Sequence, residues 1–233
     1  VYARLMENCP EIPSPPISRL CEAAAKAKLT LVMGLQERDG NTLYNTMLYI
    51  SEEGEILGKH RKLIPTYTER LVWGRGDGST LTVVDTPVGR LGGMVCWEHW
   101  MPLARQAFHD QRELLHAAVW PSVNEVHLLA SRNYAFEGRC FVIAVGSILT
   151  REHLPTDLAL LNDLPGDGPW MTGGSAIIGP NAKILAGPVM NEETLVIAEI
   201  DPELAAKESM TLDVSGHYSR PDVFKLVIDD GKK

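Results

Sequence analysis

The sequence has little that would tie it to a membrane, a metal or a nucleic acid. No apolar run approaches the ~20 residues of a spanning helix, and the opening residues carry no charged n-region followed by an apolar h-region. The four cysteines, Cys9, Cys21, Cys96 and Cys140, form no CxxC pair and are too sparse for a disulfide framework. The seven histidines are scattered singly, without the HxxxH spacing of a zinc site, so no metal and no cofactor is expected. Positive charge is in deficit: 22 Lys and Arg stand against 30 Asp and Glu, a formal net charge of −8. The acidic residues are spread along the chain, which argues against nucleic acid or an anionic membrane as partner. Free thiols of this kind make a reducing cytoplasm the expected location. The chain begins on Val1 and not on methionine.

What is present is the composition of a globular domain, with 45% hydrophobic and 22% charged residues. Ser14-Pro15-Pro16 predicts a helix start, and Ile17, Leu20, Cys21 and Ala24 fall on one helical face. "LTLVMGL", "TLYNTMLYI" and "GEILGKH" read as strands, the last two as a hairpin about Glu53-Gly54. "LTVVDTPVGRLGGMVC" suggests a second hairpin, turning at Pro87 and Gly89. A helix with Leu103, Ala104, Ala107 and Phe108 on its inner face follows, then a strand at "LLHAAVW", a helix at "VHLLASRNYAFEGR" and a strand at "CFVIAVGSIL". The Pro/Asp/Gly-rich connection from Glu152 to Pro169 has the length of a lid or binding loop. Strand signals at "GGSAIIG", "AKILAGP" and "ETLVIAEI" close the pattern. With no repeat and no linker, residues 1–233 read as a single α/β domain with a mixed sheet system.

The stretch "GGMVCWEHW" carries the strongest chemical signal. Cys96 ends a buried strand where the chain turns toward a helix, the edge at which α/β sheets bind ligands. The neighbouring N–H groups, Trp97 first, are suited to a developing negative charge. A free cysteine is ordinarily a small buried hydrophobe, and Cys9, Cys21 and Cys140 fit that description. A nucleophilic thiol needs a base or a cation beside it. The richest source is "GKHRKLIPTYTERLVWGRGDG", in which Lys59, His60, Arg61 and Lys62 end a strand. Cations so placed read first as a solvated rim, and local pattern does not choose between Lys59, His60 and Lys62. Pro65 and the polar residues after it suggest a fixed loop. Glu98 and His99 read as anchors of the turn, and Trp97, Trp120 and His127 as candidate substrate contacts.

"HRKLIPTYTERLVWGRGDG" and "GGMVCWEHWMPLARQAF" resemble the two active-site signatures of the nitrilase branch of the carbon–nitrogen hydrolases. "NYAFEGRCFVIAVGS" and "MTGGSAIIGPNAKILAGP" are similar to the same family in the same order, so the resemblance covers essentially the whole chain. It implies a four-layer αββα sandwich and a catalytic set of glutamate, lysine and cysteine. By motif position Lys62 is the lysine, Cys96 the thiol, and Glu69 a second glutamate beside the lysine. Trp97 resembles the nitrilase branch specifically. Glu137 matches a position that reads as a structural anchor.

One feature departs from the family pattern. Its first glutamate, the general base, ends a strand upstream of the signature lysine, and nothing in "VYARLMENCPEIPSPP" resembles that strand end, with Glu7 and Glu11 reading as loop. The expectation is a chain whose first strand and helix are missing, and one that is catalytically defective as it stands. The activity implied is hydrolysis of an organic nitrile to a carboxylic acid and ammonia, without cofactor, in a homo-oligomer. An amide or carbamoyl substrate on the same scaffold, or a non-catalytic assembly module, are the rival readings.

Overall fold

The structure, a computed structural model, describes residues 1–158, 166 and 168–232. Helix α1 (Tyr2–Asn8) occupies the opening segment expected as loop, so Glu7 is helical and Cys9 is the buried residue that follows. Helix α2 (Pro15–Ala27) begins after Ser14 with proline in its first turn and ends on Lys28 in the left-handed region. Its face buries Ile17 and Ala24 against Leu48 and Ile50, with Leu20 and Cys21 at the margin.

Strands β1 (Leu31–Asp39), β2 (Thr42–Ile50) and β3 (Ile56–Arg61) form an antiparallel sheet with β2 in the centre. The remaining strands form a second, mixed sheet. Strands β4 (Val84–Thr86) and β5 (Gly89–Val95) are the expected hairpin. Next come helix α3 (Pro102–His109), strand β6 (Leu115–Trp120), helix α4 (Glu125–Gly138), and strands β7 (Phe141–Gly146) and β8 (Ile148–Leu149). Strands β9 (Met171–Ile178) and β10 (Ile184–Met190) complete it, with helix α5 (Pro202–Ser209) beyond. The order is β10-β9-β7-β6-β5-β4, and β5, β6 and β7 run parallel. Parallel strands joined by helices put the carboxyl ends of β5 and β6 on one edge.

The two glycines of "GGMVC" are explained by what lies on each face of β5. A Cβ at Gly93 would meet Met47 Sδ of β2 at 2.6 Å, so the two sheets touch there. A Cβ at Gly92, on the opposite face, would strike the Glu113 carboxylate and crowd Phe108 of α3. Met47 and Tyr49 share one core cluster with Leu91, Leu115, Ala117 and Phe141. Phe108, Ala130, Tyr134 and Ala135 of the helices pack with Met94, Ala118 and Val142 in another.

Three expectations are corrected. Leu103 is 71% exposed, and His109 joins Ala104, Ala107 and Phe108 on the buried face of α3. "ETLVIAEI" forms no strand: Val196, Ala198 and Ile200 are partly covered while Leu195 and Ile197 are exposed, so alternation alone does not make a ladder. The segment after Pro65 contains a 3-10 turn, Tyr67–Leu71. The Glu152–Pro169 connection falls partly outside the described residues, whose part of it includes the end of a short turn, Arg151–His153. Among the described residues no helix is long and apolar enough to cross a membrane, and no group of three His, Cys, Asp or Glu is placed to hold a metal ion.

Candidate active site

Cys96 stands at the carboxyl end of β5 with φ +59°, a left-handed conformation unusual for a residue with a side chain. It opens a 3-10 turn, Cys96–Trp100, so the chain reverses immediately beyond the thiol. Burial pushes the Cys96 thiol up, while the positive charge of Lys62 and the Trp97 amide, which donates to the sulfur, pull it down. Glu69 and Glu98 act with burial.

The cations of "GKHRK" are not a solvated rim. His60 and Lys62 are fully buried, because β3 lies against its own sheet and against the Cys96 turn. Their partners separate their roles. Lys59 and Arg61 both reach the Glu37 carboxylate on β1, and Arg61 also binds Asp39. His60 Nε2 lies 3.0 Å from Glu98 Oε2. Lys62 Nζ donates to Glu69 Oε2 at 2.6 Å. The Thr66 amide donates to the same oxygen, so the 3-10 turn carrying Glu69 is fixed to Lys62. Among the described residues Glu69 Oε1 accepts no hydrogen bond.

Glu98 is an anchor. Its carboxylate accepts from the amides of Leu63 (2.7 Å) and Val95 (2.8 Å) as well as facing His60, and so joins the segment after β3 to the end of β5. Burial opposes its charge, but His60 and the two amides outweigh burial and hold it below the ordinary carboxylate value. Burial likewise opposes charge on His60, and the Glu98 carboxylate raises it nonetheless. His99 Nδ1 donates to the Cys96 carbonyl at 2.7 Å.

Lys62, Glu69 and Cys96 line one cavity of about 400 Å³, walled by Gln36 of β1, Asn45 of β2, Trp73, Trp120 and Ser147 among others. Glu69 is the one carboxylate among the described residues on that wall. Trp73 Nε1 and Gln36 Oε1, also wall residues, are buried and without a partner among the described residues. Trp120 is fully buried, with its indole N–H donating to Ser131 Oγ. Trp97 and His127, expected as substrate contacts with Trp120, are not among the wall residues. Trp97 is 46% exposed, and the His127 amide donates to the Asn124 side chain that caps α4 while its ring stacks on Trp120, with ring centroids 4.6 Å apart.

With that geometry in hand, comparison with known proteins is decisive. Residues 1–207 match the carbon–nitrogen hydrolase family. The chain belongs to that family. Within it the chain falls in the nitrilase branch: it is 43% identical over 223 residues to an aliphatic nitrilase of Sinorhizobium fredii, covering 95% of this chain and 72% of the relative. It is 41% identical to a bifunctional nitrilase/nitrile hydratase of Lupinus angustifolius (94% and 64% covered) and 42% to nitrilase 1 of Arabidopsis thaliana (94% and 65%). The chain thus spans between 64% and 72% of the length of these relatives. The fold is shared with a carbon–nitrogen hydrolase of Helicobacter pylori, TM-score 0.73 at 22% identity, covering 89% of this chain and 73% of that one. It is shared also with a superfamily member of Xanthomonas campestris, TM-score 0.71 at 18% identity, covering 97% and 80%.

Sequence reasoning named Cys96, Lys62 and Glu69, which line one cavity, but did not name most of the residues around them. Asn45 and Gln36 reach the cavity because β1 and β2 pair residue for residue, placing Gln36 opposite Asn45. Only that register brings them there. His116 and Glu113 were missed although a histidine inside the apolar run "LLHAAVW" was a visible signal.

Proposed function

We propose that the protein carrying these residues is a nitrilase, converting an organic nitrile and water to a carboxylic acid and ammonia. The observation that carries the reading is the meeting of Cys96, Lys62 and Glu69 on one cavity wall. Residues from just after β3, from the following 3-10 turn and from the end of β5 converge there. The Sγ–carbon bond forms as the thiol loses its proton to a carboxylate, and the nitrile nitrogen gains one from the Lys62 ammonium, giving a thioimidate. Water adds to the thioimidate carbon, ammonia leaves with the protons returned through Lys62, and a thioester remains. A second water then releases the acid and restores the thiol.

The lysine is held for this task by Glu69, whose Oε2 takes both Lys62 and the Thr66 amide. Trp120, Trp73, Gln36 and Asn45 are the residues we assign to substrate contact. Trp97 then contributes its amide rather than its ring. We place the two sheets face to face between α2 on one side and α3 and α4 on the other, an αββα sandwich acting as one domain. A cytoplasmic location and a homo-oligomer are part of the same proposal.

The test is ammonia release from a panel of nitriles and the matching amides, with amide product measured alongside, for the wild type and Cys96→Ala. It is run on the 233-residue chain and on the same chain extended by its native upstream residues. Turnover of nitriles that depends on Cys96 supports the reading. Turnover of amides alone makes the protein an amidase, and no turnover by either form points to an assembly role. Activity confined to the extended chain assigns the base to an upstream glutamate, whereas equal rates assign it to Glu69.

A further inference from the structure

Behind Cys96, on the side away from the cavity, four buried groups form a single file that the proposed chemistry does not use. His99 Nδ1 lies 2.7 Å from the Cys96 carbonyl, His99 Nε2 lies 3.0 Å from His116 Nε2, and His116 Nδ1 lies 2.9 Å from Glu113 Oε2. Glu113 Oε1 is met in turn by the Tyr134 hydroxyl. His99, His116, Glu113 and Tyr134 are all buried.

The direction of this file follows from its Cys96 end. A carbonyl only accepts, so His99 must carry its proton on Nδ1 and present a bare Nε2. His116 must then donate from its own Nε2. A third proton is needed between His116 Nδ1 and Glu113, and it satisfies the gap whichever of the two holds it. Three gaps therefore contain three protons. Removing one leaves two acceptors facing each other somewhere in the file, and the fault can migrate to the Cys96 carbonyl. We infer that His99, His116 and Glu113 are positioning residues for the nucleophile, a one-way hydrogen-bond file, kept in one direction by the proton shared between Glu113 and His116, that holds the Cys96 carbonyl and with it the left-handed turn presenting the thiol to the cavity.

Packing and charge agree. The His99 ring stacks on Trp120, centroids 4.6 Å apart, so its orientation also bears on a cavity wall residue. Arg105 Nη1 donates to the His99 carbonyl and Arg105 Nε to Glu137, tying the same turn to α4. Glu113 is faced by Tyr134 from α4, by His109 Nδ1 of α3 at 3.9 Å, by the Cys140 thiol ahead of β7 and by Tyr49 of β2. His60 and Glu98 act on His116 from the β3 side, and Arg112, Arg139 and Asp213 line the surface hollow that also reaches Glu113. In these surroundings burial, against the charge of His109 and the Tyr134 hydrogen bond, pushes the Glu113 carboxyl up to about 7. Burial keeps His99 neutral, at about 3. With burial also keeping His116 neutral, the shared proton rests on the carboxyl, which donates to His116 and accepts from Tyr134.

This inference rests on Cys96 being the nucleophile, and the test separates the two. Glu113→Gln keeps a donor toward His116 and an acceptor for Tyr134 but cannot titrate. Glu113→Leu keeps the volume and removes both. In the protein with its native flanking residues, kcat and the rate of Cys96 alkylation by iodoacetamide are measured against pH, with melting temperature as a fold control. Wild-type kcat should fall about tenfold as pH rises past neutrality, the effect of one unmade buried hydrogen bond. Glu113→Gln should match the wild type within about twofold below neutrality and lose that alkaline fall. Glu113→Leu should be slow at every pH. Alkylation needs no nitrile, so the same ranking in labelling, after allowance for thiolate ionisation, upholds the file even if nitrile turnover fails. Identical pH profiles for the wild type and Glu113→Gln overturn it, as does a folded Glu113→Leu protein with wild-type kcat and labelling.

Discussion

The two sides of the Cys96 turn use the same kinds of side chain for opposite ends. Toward the cavity, Lys62 and Glu69 form an ion pair that remains in reach of solvent, with Glu69 31% exposed. Away from it, His60 and Glu98 form a pair that is sealed, with both side chains at 1% or less. In the first, charge is available to a substrate. In the second, every charge is spent on protein: two amides and an imidazole converge on one carboxylate. Burial without further ligands favours structure, and burial beside an empty cavity favours chemistry.

Substitutions should separate the two sides by what they damage. The largest effect is expected at Glu98→Ala, which strands two amide donors and a buried imidazole and should cost about 3–5 kcal/mol in denaturant unfolding. Next is Lys62→Ala, which should leave stability little changed and cost at least ~10²-fold in kcat, the lower range for losing a charge-stabilising or proton-transferring group. If Lys62→Ala instead unfolds the protein while Glu98→Ala folds and is merely slow, the comparison is reversed. Lys59→Ala should be near neutral in kcat and cost no more than about 1 kcal/mol, because Arg61 still pairs with Glu37.

Much of this was legible in the residues. The strand ends carrying Cys96 and Lys62 follow from apolar runs that stop at glycine, proline and charge, and signature resemblance supplied the choice of Lys62 over its neighbours. What the sequence concealed depends on pairing across distance. Lys59, His60 and Lys62 are near neighbours in "KHRK", yet only tertiary contacts send the first to Glu37, the second to Glu98 and the third to the cavity. Leu103 looked apolar enough for the core, but the helix turns His109 inward to meet Glu137 and leaves the leucine outside. "ETLVIAEI" has strand alternation and no strand, because a ladder needs a neighbour that a linear pattern does not display.

The sealed pair also makes a prediction about pH. Glu98 is held below its ordinary value of 4.5, so its contribution to stability is present above that value and lost as pH falls through the folded one. His60 is raised above 6.5, so its contribution is complete below that value and lost as pH rises through the folded one. The melting-temperature difference between the wild type and Glu98→Gln should therefore be greatest between 4.5 and 6.5 and shrink on both sides. A difference that does not vary with pH would remove the ionic character assigned to this pair.

The central claim, that the turn after β5 exists to present one reactive thiol, is tested most directly by iodoacetamide. The protein with its native flanking residues is treated for increasing times, its ammonia release from a nitrile is followed, and each of the four cysteines is mapped by peptide mass. Activity is expected to fall in step with modification of Cys96, while Cys9 and Cys140, both buried in packed surroundings, stay unlabelled and any labelling of Cys21 is without effect. Full activity in protein modified at Cys96 would contradict the account.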